Sequence, residues 1–126
     1  MNKLLVISTD KDLVCGMNSD TSFWNFVICT VSNSDNLFSL IKKFNPDLLI
    51  VDFILNDSNG GAICHQIKTN PATRFLPVIL LSEYPGIFKF TTKFGCDLLL
   101  QKPLDNYTLL DKITNLLNRS HLAAQA

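Results

Sequence analysis

The chain has 126 residues, 11 basic and 11 acidic side chains, and 47% apolar residues. A domain of this length buries roughly two-thirds of the surface its unfolded chain exposes, and an apolar share this high with only 17% charged residues excludes intrinsic disorder. Balanced charge argues against a nucleic-acid module, which carries a basic excess to displace phosphate counterions. Apolar runs such as Val78-Ile79-Leu80-Leu81 fall far short of the ~20 residues of a membrane span. The N-terminus is too short in apolar residues for a signal peptide. The expected location is the cytoplasm.

Two kinds of apolar periodicity alternate along the chain. Leu4-Leu5-Val6-Ile7 is a continuous run, as expected of a strand buried on both faces. Lys11 to Asp20 follows as a weakly helical stretch with Leu13, Val14 and Met17 on one side. Phe26 to Val31 is a second strand, rich in β-formers. Ser34 is placed to cap a helix carrying Leu37, Leu40, Ile41 and Phe44, and Pro46 closes it. Leu48-Leu49-Ile50-Val51 is a third strand running into Asp52, and Asn56 to Gly61 reads as loop. A short helix with Ile63 and Ile67 ends before Pro71. Pro77 to Leu81 is the fourth strand, with Pro where it is tolerated. Residues 86–94 read as a helix with Ile87, Phe90 and Phe94 inward. Leu98-Leu99-Leu100 is the fifth strand. After Lys102-Pro103, Asp105 caps a final amphipathic helix, and His121 to Ala126 reads as a frayed tail. Strands buried on both faces and joined by helices imply parallel pairing with right-handed crossovers. The expected fold is a doubly wound three-layer α/β domain over residues 1–119, with a tail over 120–126.

Cysteines stand at 15, 29, 64 and 96 with no CxxC pair, a spacing that fits neither a zinc site nor a thioredoxin-like centre. They read as four reduced thiols acting as small hydrophobes. Cys64-His65 are neighbours on a helix and point about 100° apart, which disfavours a shared metal.

In a doubly wound sheet the site lies past the strand C-termini. Those positions are Ser8-Thr9-Asp10, Asp52, Ser82-Glu83 and Gln101-Lys102-Pro103. A carboxylate, a hydroxyl and a lysine around one crevice suit an anion or a phosphoryl group. No glycine fingerprint follows the first strand and no P-loop motif occurs, which disfavours dinucleotide binding and P-loop hydrolysis.

These residues resemble the response-regulator receiver domains of two-component signalling, over about residues 3–118. The most specific element is Pro46-Asp47-Leu48-Leu49-Ile50-Val51-Asp52 with Gly60 eight residues later. Pro77 to Ser82 and Gly95-Cys96-Asp97 through Lys102-Pro103 match two further family segments. The resemblance implies a flavodoxin-like (βα)5 fold with a five-stranded parallel sheet in the order 2-1-3-4-5. It implies that Asp52 is the phosphoacceptor, that Lys102 supplies positive charge to the phosphoryl group and that Ser82 hydrogen-bonds it. Mg²⁺ would bridge Asp52, the phosphoryl oxygens and the backbone carbonyl of Ile54, and the Lys102–Pro103 bond would be cis. Implied partners are a histidine kinase or phosphotransfer protein, a downstream protein target, and a second copy docked through the face formed by the 86–94 helix, strand five and the last helix. No nucleic-acid or membrane partner is implied, and the chain is a signalling module rather than an enzyme.

The chain departs from the family at the chemistry. Receivers carry two adjacent acids after the first strand; here those positions are Ser8 and Thr9. Asp10 stands one place late and would reach the metal only through a local shift. Mg²⁺ affinity should therefore lie well below the family norm, and Lys102 and Asp52 would pair one to one. Glu83 follows Ser82 where the family prefers a small residue, and is expected to point outward. Leu99 occupies the position of the family's switch aromatic. Phe88, on the edge of its helix, marks a candidate docking surface. Ile54 and Tyr84, two beyond Asp52 and Ser82, occupy positions that tune phosphoaspartate hydrolysis. Two readings remain: a single-domain receiver phosphorylated on Asp52, favoured by Asp52, Ser82 and Lys102, and a pseudo-receiver that binds partners without Mg²⁺-dependent phosphorylation, favoured by Ser8, Thr9, Glu83 and Leu99. A third, an unrelated flavodoxin-like binder of a small anion, rests on fold alone.

Overall fold

The computed structural model describes residues 1–56, 58–84, 86 and 95–125, with the backbone alone over 120–125. Its strands are β1 (Asn2–Ile7), β2 (Phe26–Val31), β3 (Leu48–Asp52), β4 (Val78–Ser82) and β5 (Leu98–Gln101). Its helices are α1 (Lys11–Ser19), α2 (Leu37–Phe44), α3 (Gly60–Thr69) and α4 (Asn106–Gln125). Apart from Gly86, the helix expected over 86–94, and Phe88 with it, lies outside the described residues.

All pairings are parallel and the sheet order is β2-β1-β3-β4-β5, as expected. Alternation along the strands divides the core into two layers. Leu5, Ile7, Leu49, Val51, Val78 and Leu80 pack against Leu37 of α2 and Ile63, Cys64 and Ile67 of α3. Leu4, Val6, Leu48, Ile50, Ile79 and Leu81 pack on the other face against Met17 of α1 and Leu109, Ile113 and Leu116 of α4. Every residue of β3 and β4 is buried. The carboxylate of Asp52 and the hydroxyl of Ser82 thus leave the ends of the two strands buried along their whole length.

Two local readings need correction. Ser34 is not the cap of α2: Asn36 holds that place in the left-handed region, at φ 54°, and makes no side-chain cap. The helix ends at Asn45, also left-handed at φ 53°, whose N–H donates to the Ile41 carbonyl, and Pro46 follows it. Asn tolerates this conformation better than other residues with a Cβ. At the C-terminus the backbone stays helical through Gln125, where patterning reads a tail from His121. Asp105 does cap α4, accepting from Thr108 N–H at 2.6 Å, and the Lys102–Pro103 peptide is cis.

Gly60 starts α3 directly beneath the site. A Cβ there would collide with the Asp52 carbonyl oxygen and stand 2.7 Å from Leu80 Cδ1. Because the obstacle is backbone of a buried strand, Gly60→Ala should destabilise the fold by about 1–3 kcal/mol, the usual cost of overpacking. Urea denaturation checks this; an unchanged midpoint would show that α3 can shift freely.

Candidate functional site

The C-terminal ends of β1, β3, β4 and β5 converge on one cleft of about 400 Å³. Asp52 is 4% exposed at its floor. The Ser8 hydroxyl, following β1, donates to Asp52 Oδ2. Lys102 Nζ, following β5, lies 2.8 Å from Asp52 Oδ1. That contact is an ion pair off the direction of a hydrogen bond, so Oδ1 is a buried carboxylate oxygen with no hydrogen bond. The end of β5 is fixed by Lys102 N–H donating to the Ser82 carbonyl at 2.8 Å.

Lys102 has a second partner. Its Nζ also donates to Asp10 Oδ2 at 2.8 Å. Asp10 caps α1, its Oδ1 accepting from Leu13 N–H at 3.1 Å, and its own N–H donates to Ser8 Oγ at 3.0 Å. Capping turns the carboxylate back over the first turn of the helix and into the cleft. The one-to-one pairing of Lys102 with Asp52 is therefore corrected: one ammonium serves two carboxylates, and the cleft stays anionic. Burial alone would lower the pKa of Lys102, but Asp10 and Asp52 outweigh it and raise it. The hydrogen bond from Lys102 holds Asp10 below its ordinary value.

Ser82 is buried, and its hydroxyl accepts from Tyr84 N–H at 3.0 Å. Glu83 is exposed and stands at the mouth of the cleft with Tyr84 and Ile54, which are 55% and 58% exposed. Leu99 is half-buried against the α2–α3 side of the core, in register with Leu80. Among the described residues no three His, Cys, Asp or Glu side chains form a metal-binding set. Two carboxylates and a backbone carbonyl nevertheless match the donor type of Mg²⁺, which keeps several waters and takes one or two carboxylates. Oδ1 of Asp52, ion-paired with Lys102 but without a hydrogen bond, supplies such a donor. Asp52, Asp10 and the Ile54 carbonyl would hold the ion.

Sequence reasoning did not anticipate Ser8 as a direct partner of Asp52, nor Asp12, which also lines the cleft. The cap preference of Asp before a helix was the signal that could have placed Asp10.

Because Asp10 has a depressed pKa in the fold, its contribution is in place above the ordinary value of 3.8 and is lost as pH falls through the folded-state value. Asp10→Asn keeps a good cap but removes the charge. It should cost about 1 kcal/mol at neutral pH, with the gap from wild type closing in acid. Urea denaturation from pH 7 downward reads this, and a gap constant with pH would remove the ion pair as its cause.

Comparison with known proteins completes the picture. Residues 4–114 match the response regulator receiver domain model. Sensory transduction protein BceR of Halalkalibacterium halodurans is 28% identical over 123 residues, covering 96% of this chain and 52% of that protein. Probable transcriptional regulator ycf29 of Pyropia yezoensis is 30% identical over 123 residues, covering 95% of this chain and 55% of that protein. The chain thus spans about half the length of these curated relatives. Among solved structures, a CheY-like response regulator receiver domain protein from Methanospirillum hungatei superposes with a TM-score of 0.85 at 17% identity, covering 98% of each chain. The signal receiver domain of a signal transduction histidine kinase from Syntrophus aciditrophicus gives 0.83 at 22%, covering 94% of this chain and 91% of that one. These two likenesses bear on the fold. With a family model matched across nearly the whole sheet and its strand-end cleft, the chain belongs to the response regulator receiver domain family.

Proposed function

We propose that this receiver accepts a phosphoryl group on Asp52 from a histidine kinase or phosphotransfer protein and signals the change by protein contact. The observation that carries the reading is the buried Asp52 carboxylate with Lys102 Nζ 2.8 Å away. An Asp52 oxygen attacks phosphorus as the bond to the donor breaks, and the new bond is an acyl phosphate. Two anions approach closely only where fixed positive charge offsets their repulsion. Lys102 supplies that charge from within the chain, and Ser82 stands at the neighbouring strand end to donate a hydrogen bond to the transferred group. Mg²⁺, when bound, would add charge neutralisation on the phosphoryl oxygens. Ile54 and Tyr84 at the mouth offer no acid or amide to orient water, which supports slow loss of the phosphoryl group. The receiver unit is taken as residues 1–119, and the β5–α4 edge as the face for a target or a second copy.

The pseudo-receiver reading has one observation of its own: both Asp52 oxygens are already engaged, one by the Ser8 hydroxyl and one by the Lys102 ammonium. Intact-mass analysis after incubation with a small phosphodonor, with and without Mg²⁺, separates the two. Gain of one phosphoryl group, absent in Asp52→Asn and persisting well beyond seconds, is the expected result. No gain at any Mg²⁺ concentration would overturn phosphoacceptance and leave the binding module.

A further inference from the structure

Cys64 sits on α3 one turn before Lys68, on the same face of the helix. The turn that enters β5 lies on that face. Gly95 adopts φ 74°, and a Cβ on it would stand 3.6 Å from Lys68 Cβ. Asp97 pairs with Lys68 Nζ at 2.6 Å. The residues on both sides of Cys96 therefore meet Lys68, one turn along α3 from Cys64. Both cysteines belong to the same core region, Cys64 fully buried and Cys96 half-buried beside it.

The arrangement is held firmly. Asp97 Oδ2 accepts from Val78 N–H at 2.7 Å, and Lys68 Nζ donates to the Leu76 carbonyl at 2.7 Å. The two thiols act on each other's acidity. The neighbouring Cys96 and burial push the Cys64 thiol up. Cys64 is fully buried and Cys96 only half-buried, so Cys96 is the sulfur that solvent can reach. Cys15 and Cys29 are free thiols, exposed and half-exposed, on other elements.

We propose that Cys64 and Cys96 form a redox-active dithiol that closes to an intramolecular disulfide on meeting a peroxide. The Cys96 thiolate attacks a peroxide oxygen, the O–O bond breaks, and the leaving oxygen takes up a proton as water; Cys96 is now a sulfenic acid. The Cys64 sulfur then attacks the Cys96 sulfur, and its proton leaves with the hydroxyl as a second water. Two thiols and one peroxide thereby give one disulfide and two waters. The bond would tie α3 covalently to the turn entering β5, the strand whose far end carries Lys102 towards Asp52. Oxidation would thus restrain the element that positions the ammonium.

The test is peptide mapping of the intact wild-type chain exposed to hydrogen peroxide, then alkylated under denaturing conditions. The expected result is a Cys64–Cys96 linked peptide, lighter by two hydrogens, that forms while Cys15 and Cys29 still alkylate. Adding a thiol reductant should reverse it, and Cys96→Ser with an unchanged circular dichroism spectrum should abolish it. Full alkylation of Cys64 and Cys96 after oxidant, linkage to Cys15 or Cys29 instead, or over-oxidation of Cys96 with Cys64 still free would each overturn the proposal. The wild-type map decides the matter even if the variant fails to fold.

Discussion

One ammonium group stands between two carboxylates brought from the ends of the neighbouring strands β1 and β3, with Lys102 Nζ 2.8 Å from both Asp10 and Asp52. Taking Lys102 out of water is unfavourable, and the two carboxylates more than offset that, which is why its pKa rises despite burial. The charge would be costly anywhere else in the core. Its position depends on the β4–β5 pairing and on the Ser82–Lys102 backbone bond, so sheet register and site geometry are one constraint.

Around this contact the apolar layers act as a rigid mount. β3 and β4 are buried along their whole length, so the side chains at their ends cannot be moved without disturbing both layers. Gly60 brings α3 against the Asp52 backbone because nothing larger fits. The helix cap at Asp10 does two jobs with one carboxylate: Oδ1 satisfies the first turn of α1 and Oδ2 faces Lys102. In this way a residue one position later than the family's acidic pair still contributes charge to the cleft, while Ser8 holds Asp52 by a hydrogen bond where an acid would have repelled it.

The strands were legible because β3 and β4, buried on both faces, read as unbroken apolar runs, and the strand-end rule then located Asp52, Ser82 and Lys102. Ser34 misled because its residue type favours a cap, whereas the backbone enters α2 through a left-handed Asn36, a geometry no side-chain preference at position 34 reveals. Ser8 was read only as a missing acid; its bond to Asp52 depends on β1 and β3 lying side by side. Asp10 was judged by its offset from a motif, and counting positions along a strand does not follow a chain that has begun to turn into a helix. The meeting of Cys64 and Cys96 is likewise tertiary, made by the packing of the β5 turn on α3, and spacing rules written for local motifs do not see it.

The central claim is that Asp52 is held by Lys102 and Ser8, with Asp10 the second carboxylate offered to Mg²⁺ and Ser8 standing where a further acid would strengthen that site. Calorimetric titration of Mg²⁺ into the wild-type chain and into Ser8→Asp tests it most directly. The account predicts weak binding to the wild type and at least roughly tenfold tighter binding to the variant, the scale on which neighbouring groups tune a metal site. Wild-type affinity equal to or above that of the variant would contradict it.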